Sequence, residues 1–196
     1  MKHLLLVVTI IGCGSESPQH VDAASDGTAA IDVAPGDSVA SAFALTSPML
    51  APGAAFAAAN TCDGANTSPQ FVWSAPPANT QSFALVLTDN SNGLVHCVIY
   101  DAPASATGLP AAVMNAYAPT NVTGAHQTAS YSAAVRGYNG PCPPAGGGAH
   151  NYEFAAYALD TAALPGASMS TTRAQALTLI MQHQLGKVSL AGTYMR

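Results

Sequence analysis

Two neighbouring apolar runs constrain the fold of this chain more than any other feature of its sequence. They read SFALVLTD (Ser82–Asp89) and LVHCVIYDAP (Leu94–Pro103), and Asn, Asp, Gly and Pro bound them, which is the pattern of β-strands. Because neither run alternates with polar residues, we expect both strands to lie centrally in a sheet that is covered on both faces. The Ser-Asn-Gly stretch between them favours a tight turn.

Further strands are predicted nearer the end of the chain. YEFAAYALD (Tyr152–Asp160) has the same strand pattern, and VSLAGTYMR (Val188–Arg196) predicts a final strand or an extended tail. A chain of 196 residues is enough for one domain of ordinary size. We therefore expect a mainly β fold with a small helical complement.

One helix is predicted close to the C-terminus, in the stretch STTRAQALTLIMQHQLGK. Ser170 or Thr171 can cap its start, and Gly186 can close its end. The apolar positions that recur at helical spacing are Ala174, Leu177, Met181 and Leu185.

Charged residues are few and unevenly distributed. They make up only 8% of the chain, against 49% apolar residues, and no run of basic residues occurs. The electrostatic footprint of a nucleic-acid-binding protein is therefore absent, and we expect no nucleic-acid partner. The acids of the first forty residues are Glu16, Asp22, Asp26, Asp32 and Asp37.

The N-terminus resembles an export signal. Lys2 precedes an apolar run, Leu4–Ile11, that is too short to span a bilayer and is typical of a secretory signal. The stretch IIGC (Ile10–Cys13) resembles the bacterial lipobox, in which the cysteine is lipidated and becomes the mature N-terminus. The alternative is an ordinary signal peptide cleaved nearby. Either reading predicts export, and lipidation of Cys13 predicts a lipoprotein of the periplasm or outer membrane.

Three segments follow from these patterns. Residues 1–12 are predicted to be a lipoprotein signal peptide, and residues 43–196 a folded domain. Residues 13–42 are predicted to be a flexible acidic linker, because low hydrophobicity and charge of one sign cannot offset the entropy of ordering.

Several motifs of the folded part together resemble one family. The resemblance is to the phosphatidylethanolamine-binding protein family, specifically its bacterial Raf-kinase-inhibitor-like branch of YbhB/YbcL type, and it covers roughly Phe43 to Arg196. The motifs CDGANTSPQ and GPCPPAGGGAHNY are long and unusual in composition. The stretches that carry the resemblance are Leu45–Leu50, Thr61–Pro77, Ser82–Asn90, His96–Ala104, Gly137–Asp160 and Leu190–Arg196.

This resemblance implies both a fold and a site. The implied fold is a β-sandwich with a central antiparallel sheet, a smaller second sheet and one or two short helices, one of them near the C-terminus. The implied site is a small pocket for anions such as phosphate, acetate or a phospholipid headgroup, with the proline- and glycine-rich loop as one rim. Carried over position by position, its residues are Asp89, His96, Pro144, His150 and Tyr152, with Trp73 and Ser68 from an adjacent loop motif.

The sequence departs from the family pattern at one rim of this pocket. The usual Asp-Pro-Asp-Ala-Pro segment reads DNSNG, so that Ser91 replaces the second acid and Gly93 the proline after it. Cys97 replaces the usual tryptophan after the first pocket histidine. We therefore expect a looser and less acidic rim.

The implied site residues have the chemistry to hold a monoanion without lysine or arginine. Imidazole N–H and phenol O–H groups are donors, and Asp89 can fix the tautomer of a histidine. We therefore expect phosphate-type anions to bind more tightly as the pH falls through the histidine range. The alternatives are that His96 and His150 are structural, or that they bind a metal together with Asp89. No cofactor and no metal are predicted, and His126 and His183 are assigned no role.

The resemblance also brings two cysteines close together. Cys62 and Cys142 lie in the two loops that would meet near the pocket, which implies a disulfide between them. Cys97 lies inside an apolar strand and is interpreted as a buried small hydrophobe. The alternative is that all three thiols are free.

Three classes of function remain open at this point. We expect a non-catalytic binding module for a small anion or a phospholipid headgroup, in contact with the membrane through its lipid anchor. The alternative is an inhibitor or regulator of an envelope protein such as a protease. A hydrolase using His96 or His150 as its base is the third, but the sequence has no nucleophile elbow, and we therefore predict no catalytic residue.

Overall fold

The computed structural model describes residues 42–196. The predictions for the signal peptide (1–12), for lipidation at Cys13 and for the acidic linker lie outside the described residues, except for Ala42 at the end of the linker.

A five-stranded antiparallel sheet is the centre of the domain. Its spatial order is β6-β4-β3-β7-β8, so that β3 pairs with β4 on one side and with β7 on the other. Seven of the eight residues of β3 are buried, which confirms the predicted central position of this strand. The strands are β3 (Ser82–Asp89), β4 (Leu94–Pro103), β6 (His126–Gln127), β7 (His150–Leu159) and β8 (Gln184–Tyr194).

A smaller antiparallel sheet covers one face of the large one. It consists of β1 (Ala44–Thr46), β2 (Phe71–Ser74) and β5 (Gly108–Leu109), with β2 in the middle. Aromatic contacts join the two sheets, since the ring centroids of Phe71 and Phe154 lie 4.4 Å apart and those of Trp73 and Phe83 4.8 Å apart. The predicted two-sheet β-sandwich is therefore confirmed.

A helix covers the opposite face of the large sheet. This helix, α1 (Arg173–His183), buries Ala176 and Ile180 against a cluster that includes Tyr100, Tyr157 and Leu159. A reciprocal capping box between Thr172 and Gln175 starts it. The central strands are thus covered on both faces, as their uniformly apolar sequence predicts. A single 3₁₀ turn, at Ala58–Asn60, is the other helical element of the described residues.

The predicted details of α1 are wrong in two respects. Thr172 caps the helix rather than Ser170 or Thr171, and the helix ends before Gly186. Gly186 lies instead in β8, where a Cβ atom would stand 2.9 Å from the ring of Pro77. Gly186 is therefore needed because the ring of Pro77 packs closely against this position of the strand, and not because a helix ends here.

The apolar stripe predicted on α1 is only in part its buried face. Leu177 packs partly buried against the sheet, but Met181 is 51% exposed and Leu185 lies in β8, whereas the fully buried residues of the helix are Ala176 and Ile180. Small Ala176 lets the helix approach the sheet closely, so the packing of the backbone selects the buried face rather than the largest set of apolar side chains.

None of the helical elements in residues 42–196 combines the length and the hydropathy needed to cross a bilayer.

Truncating Ile180 tests this orientation of α1. We expect Ile180→Ala to lower the free energy of unfolding by about 2–5 kcal/mol, because it leaves a cavity against the sheet. The matched substitution Met181→Ala, on the exposed face, should change it by less than about 0.5 kcal/mol. Urea unfolding of both variants measures the difference, and equal losses would show that the helix is oriented otherwise.

Candidate functional site

Two strand ends bring an aspartate and a histidine together. Asp89 is the last residue of β3 and His150 the first of β7, and because the strands are antiparallel these ends meet at one edge of the sheet. His150 Nδ1 lies 2.7 Å from Asp89 Oδ2. Asp89 is buried and Tyr152 lies directly opposite it in the β3–β7 register. His96 of β4 joins them, since its ring meets that of Tyr152 edge-on at 5.5 Å.

These four residues, Asp89, His96, His150 and Tyr152, form what we call the His-Asp-Tyr cluster. The sequence predicted all four as ligand-binding residues, and the structure brings them into one place. Their role in ligand binding stays a prediction.

Both histidines use the same nitrogen for a contact within the protein. His96 Nδ1 lies 2.9 Å from the carbonyl oxygen of Asn139, and His150 Nδ1 contacts the carboxylate of Asp89. A carbonyl or an ionised carboxylate only accepts, so Nδ1 carries the proton in both rings. In the neutral rings Nε2 therefore has the lone pair, and it becomes a donor only when the ring gains a second proton.

Three contacts hold His96 in place. Besides the Asn139 carbonyl, the ring of Tyr131 lies 4.4 Å away, centroid to centroid, and the backbone N–H of Tyr131 donates to the carbonyl of His96. Burial lowers the pKa of His96 from its ordinary value of 6.5, although the contact with Asn139 opposes this shift. Neutral His96 is thus favoured in the folded protein.

Tyr152 is a completely buried side chain whose hydroxyl makes no well-formed hydrogen bond within residues 42–196, although the carboxylate of Asp89 and the backbone of Cys142 lie near enough to act on its pKa. Burial raises the pKa of this hydroxyl far above its ordinary value, and the negative charge of Asp89 raises it further. The hydroxyl is therefore protonated at any physiological pH and remains available as a donor. A buried polar group without a partner is costly, which makes this hydroxyl the least satisfied group of the cluster.

Hydrogen bonds hold the loop with the altered sequence DNSNG (residues 89–93) in place. The carboxylate of Asp89 accepts from the Ser91 N–H at 3.0 Å and from the Asn92 side chain at 3.1 Å. The Ser91 hydroxyl accepts from the N–H of Asn151 on β7 at 2.9 Å. Gly93 has φ = +75°, which proline cannot adopt, so this turn excludes the proline of the family pattern. The expectation of a rim looser than that of the family stays a prediction.

The proline- and glycine-rich loop before β7 is locked to the loop at residues 60–66. A disulfide joins Cys62 and Cys142, the pair that the family resemblance implied. The Asn66 side chain donates to Asn139 Oδ1 at 2.9 Å, and its own oxygen accepts from the Gly140 N–H at 2.8 Å. The two cysteines are 80 positions apart in the sequence, and the disulfide stabilises the fold by about 4.5 kcal/mol on the chain-entropy model. The carbonyl that orients His96 is thereby fixed in place.

Glycine is required at one position in this loop. A Cβ atom on Gly140 would stand 2.2 Å from the carbonyl oxygen of Asn60, the same oxygen to which the Tyr138 hydroxyl donates at 2.6 Å.

The C-terminus of the chain also contacts the loop at residues 60–66. Arg196 Nε and the Tyr194 hydroxyl, at the end of β8, both contact the carboxylate of Asp63, at 2.9 and 2.7 Å.

Three predicted site residues, Trp73, Ser68 and Pro144, make no hydrogen bond to the His-Asp-Tyr cluster within residues 42–196. Trp73 donates to the carbonyl of Ala106 and packs on Phe83, which lies six residues, or about 20 Å, along β3 from Asp89. Trp73 is thus a core residue at the other end of the sheet. The Ser68 hydroxyl accepts from the Val113 N–H at 2.9 Å. Pro144 is exposed, in a turn that its carbonyl closes with Gly147.

Two residues that position the site were missed from the sequence. Tyr131 and Asn139 both contact His96, and both lie in the irregular segment between β6 and β7, where no periodicity marks them. Only the resemblance of nearby GPCPP to the family motif indicated that this segment reaches the site.

The histidines without a predicted role also pair with aspartates. His126 Nδ1 lies 3.0 Å from Asp101, and His183 Nδ1 lies 2.8 Å from Asp160. No group of three histidine, cysteine or acidic side chains within residues 42–196 is arranged to hold a metal ion. Cys97 is a buried free thiol whose pKa burial raises to about 11.

Comparison with known proteins identifies the class. The sequence profile described as "Phosphatidylethanolamine-binding protein" matches residues 46–195. In structure, YbcL of Escherichia coli is similar with a TM-score of 0.72 and 27% sequence identity, over 79% of this chain and 98% of YbcL. The chain therefore belongs to the phosphatidylethanolamine-binding protein family, in its YbcL-type branch.

Two relatives are similar at the sequence level. LppC of Mycobacterium tuberculosis, whose name describes it as a lipoprotein, is 34% identical over 97% of this chain and 92% of its own length. A UPF0098 protein of Methanothermobacter thermautotrophicus is 38% identical over 69% of this chain and 87% of its own length.

Buried His96 predicts a pH dependence of stability. Its pKa is lower in the folded protein than in the unfolded chain, so below pH 6.5 the unfolded chain binds more protons and unfolding becomes easier. Relative to a His96→Gln variant, wild type should therefore lose up to about 1.4 kcal/mol of unfolding free energy per pH unit below that value. Urea unfolding between pH 8 and pH 5 measures this difference, and parallel curves for the two proteins would contradict it.

Proposed function

We propose that this protein is an exported, lipid-anchored and non-catalytic binding protein, whose His-Asp-Tyr cluster holds a small anion of the phosphate or phospholipid-headgroup type. The observation that carries the proposal is the pairing of His150 with Asp89 at 2.7 Å beside the unpartnered, fully buried hydroxyl of Tyr152. An anionic oxygen accepts from such a hydroxyl and from a protonated imidazole.

Protonation of the cluster is the step that favours an anion. Both rings have their Nδ1 proton engaged by the protein, so each offers Nε2–H to an anion only as an imidazolium. Anion binding should therefore take up a proton and become tighter as the pH falls, which is the direction that we expect from the sequence.

The surroundings of the histidines favour binding over catalysis. In the described part of the chain, their hydrogen-bond partners are a carboxylate and a backbone carbonyl, and neither ring contacts a serine or cysteine that it could activate. The Ser68 hydroxyl is buried and accepts from Val113. A hydrolase of the nucleophilic type needs a base within hydrogen-bonding reach of its nucleophile.

Export and lipid anchoring rest on the sequence of the N-terminus. The IIGC stretch ends at Cys13, and the relative whose name describes it as a lipoprotein aligns over 97% of this chain. The anchor would keep the binding domain at a membrane surface of the cell envelope.

Calorimetric titration of the purified chain with phosphate and with phosphoethanolamine at pH 6 tests the anion site. We expect wild type to bind and His150→Ala to lose roughly tenfold or more in affinity, because a hydrogen bond to a charged group is lost. His183→Ala is the matched control, since it also breaks a histidine–aspartate pair, but on the surface.

The same titration at pH 8 tests the protonation step. Affinity should be lower than at pH 6, and sulfate serves as a reference anion whose charge is constant over this range. Equal affinity for sulfate at both pH values would contradict the imidazolium mechanism. Equal losses of affinity in His150→Ala and His183→Ala would contradict binding of the anion at the His-Asp-Tyr cluster.

Substitution of Cys13 tests the anchor. In a bacterial host that processes lipoproteins, Cys13→Ser should abolish incorporation of radiolabelled palmitate and release the protein from the membrane fraction. Cys97→Ala, which removes the buried free thiol, should leave both unchanged. Labelling that persists in Cys13→Ser would show that this residue is not the site of lipidation.

A further inference from the structure

A concave region lies on the helical side of the large sheet, and no residue of the His-Asp-Tyr cluster lines it. It is a groove of about 480 Å³ between the start of β4, the segment around residues 129–136 and the first turn of α1. Its volume falls within the range of small-molecule sites. We call it the arginine groove, after the two basic residues, Arg136 and Arg173, that line it together with Leu94, Met169 and Leu177.

The charges of the domain single out these two arginines. Every side-chain carboxylate in residues 42–196 has a basic or histidine partner within 4 Å, whereas Arg136 and Arg173 are the two basic side chains of this region without a carboxylate partner. The pairs are Asp63 with Arg196, Asp89 with His150, Asp101 with His126, Glu153 with Lys187 and Asp160 with His183.

Neutral groups hold both guanidinium groups in place. Arg173 Nη1 donates to the carbonyls of Ala129, at 3.1 Å, and of Ser130. Arg136 lies over the ring of Tyr117, 5.8 Å from its centroid, and its backbone pairs with Ala129 in an antiparallel bridge. Ala129 thus contacts both arginine residues, and both line the groove without a carboxylate partner among residues 42–196.

Besides the arginines, the groove has both hydroxyl-bearing residues, Ser170, Thr171 and Thr172, and apolar side chains. Leu94 is 37% exposed and Met169 58% exposed, and Leu177 is partly buried beside them. Positive charge next to exposed apolar side chains is complementary to a molecule that has an anionic head and an alkyl tail. Guanidinium groups favour carboxylate and phosphate heads, because their fork of donors matches the geometry of these oxygens.

We propose that the arginine groove binds an anionic amphiphile, with its carboxylate or phosphate head at Arg136 and Arg173 and its alkyl chain along Leu94, Met169 and Leu177. This site is separate from the His-Asp-Tyr cluster and does not depend on the proposed function of that cluster. The amphiphile can be a free molecule or a lipid at a membrane surface, since both present the same head and chain.

Titration of the full chain with octanoate at pH 7.5, followed by calorimetry, tests the groove. Wild type should bind octanoate and should bind acetate, which lacks the tail, and octyl glucoside, which lacks the charge, at least tenfold more weakly. Arg136→Gln and Arg173→Gln should each weaken octanoate binding by roughly tenfold or more. Lys187→Gln removes the same charge from a residue paired with Glu153 and should leave the affinity within twofold.

Several outcomes would overturn the proposal. These are no binding of octanoate to wild type, equal binding of octyl glucoside, equal losses in Lys187→Gln and the arginine variants, or a loss in His150→Ala that would move the ligand to the other site. If Arg173→Gln unfolds because it frees the carbonyls of Ala129 and Ser130, Arg136→Gln carries the test alone.

Vesicles distinguish the two sources of the amphiphile once octanoate binding depends on the arginines. Phosphatidylglycerol vesicles that bind wild type but not Arg136→Gln would identify a lipid at a membrane surface. No binding to these vesicles, or equal binding to neutral phosphatidylcholine vesicles, would identify a free amphiphile as the ligand of the groove.

Discussion

Burial of the central strand on both faces is the constraint on which the rest of this structure depends. β3 has almost no polar side chain to present to water, so one of its faces needs the small sheet and the other needs α1. Asp89, at the strand's last position, is its one charged residue. Its carboxylate stays buried because His150, Ser91 and Asn92 all contact it there.

Charge is scarce in this domain and is used locally. Only 8% of the chain is charged, and within residues 42–196 each side-chain carboxylate has a cationic or histidine partner. Three of these partners are histidines. The His-Asp-Tyr cluster and the arginine groove differ in this respect, because the charged groups of the groove are guanidinium groups without a carboxylate partner among residues 42–196.

The His-Asp-Tyr cluster owes its arrangement to contacts between loops that are distant in sequence. The Cys62–Cys142 disulfide and the hydrogen bonds of Asn66 hold the segment that contains Asn139, and the carbonyl of Asn139 decides which nitrogen of His96 has the proton. A change in either loop therefore acts on the chemistry of a histidine on β4 without touching it.

The sequence by itself determined β3, β4, β7 and the C-terminal strand, and the central position of β3 and β4, because an uninterrupted apolar run has no other stable environment than a covered sheet. Resemblance to the family added the four residues of the cluster and the disulfide. Tertiary structure alone decided the face that α1 buries, the distance of Trp73 from the cluster and the roles of Tyr131 and Asn139. These depend on how closely backbones approach and on which loops meet, and neither has a periodicity that a sequence can display.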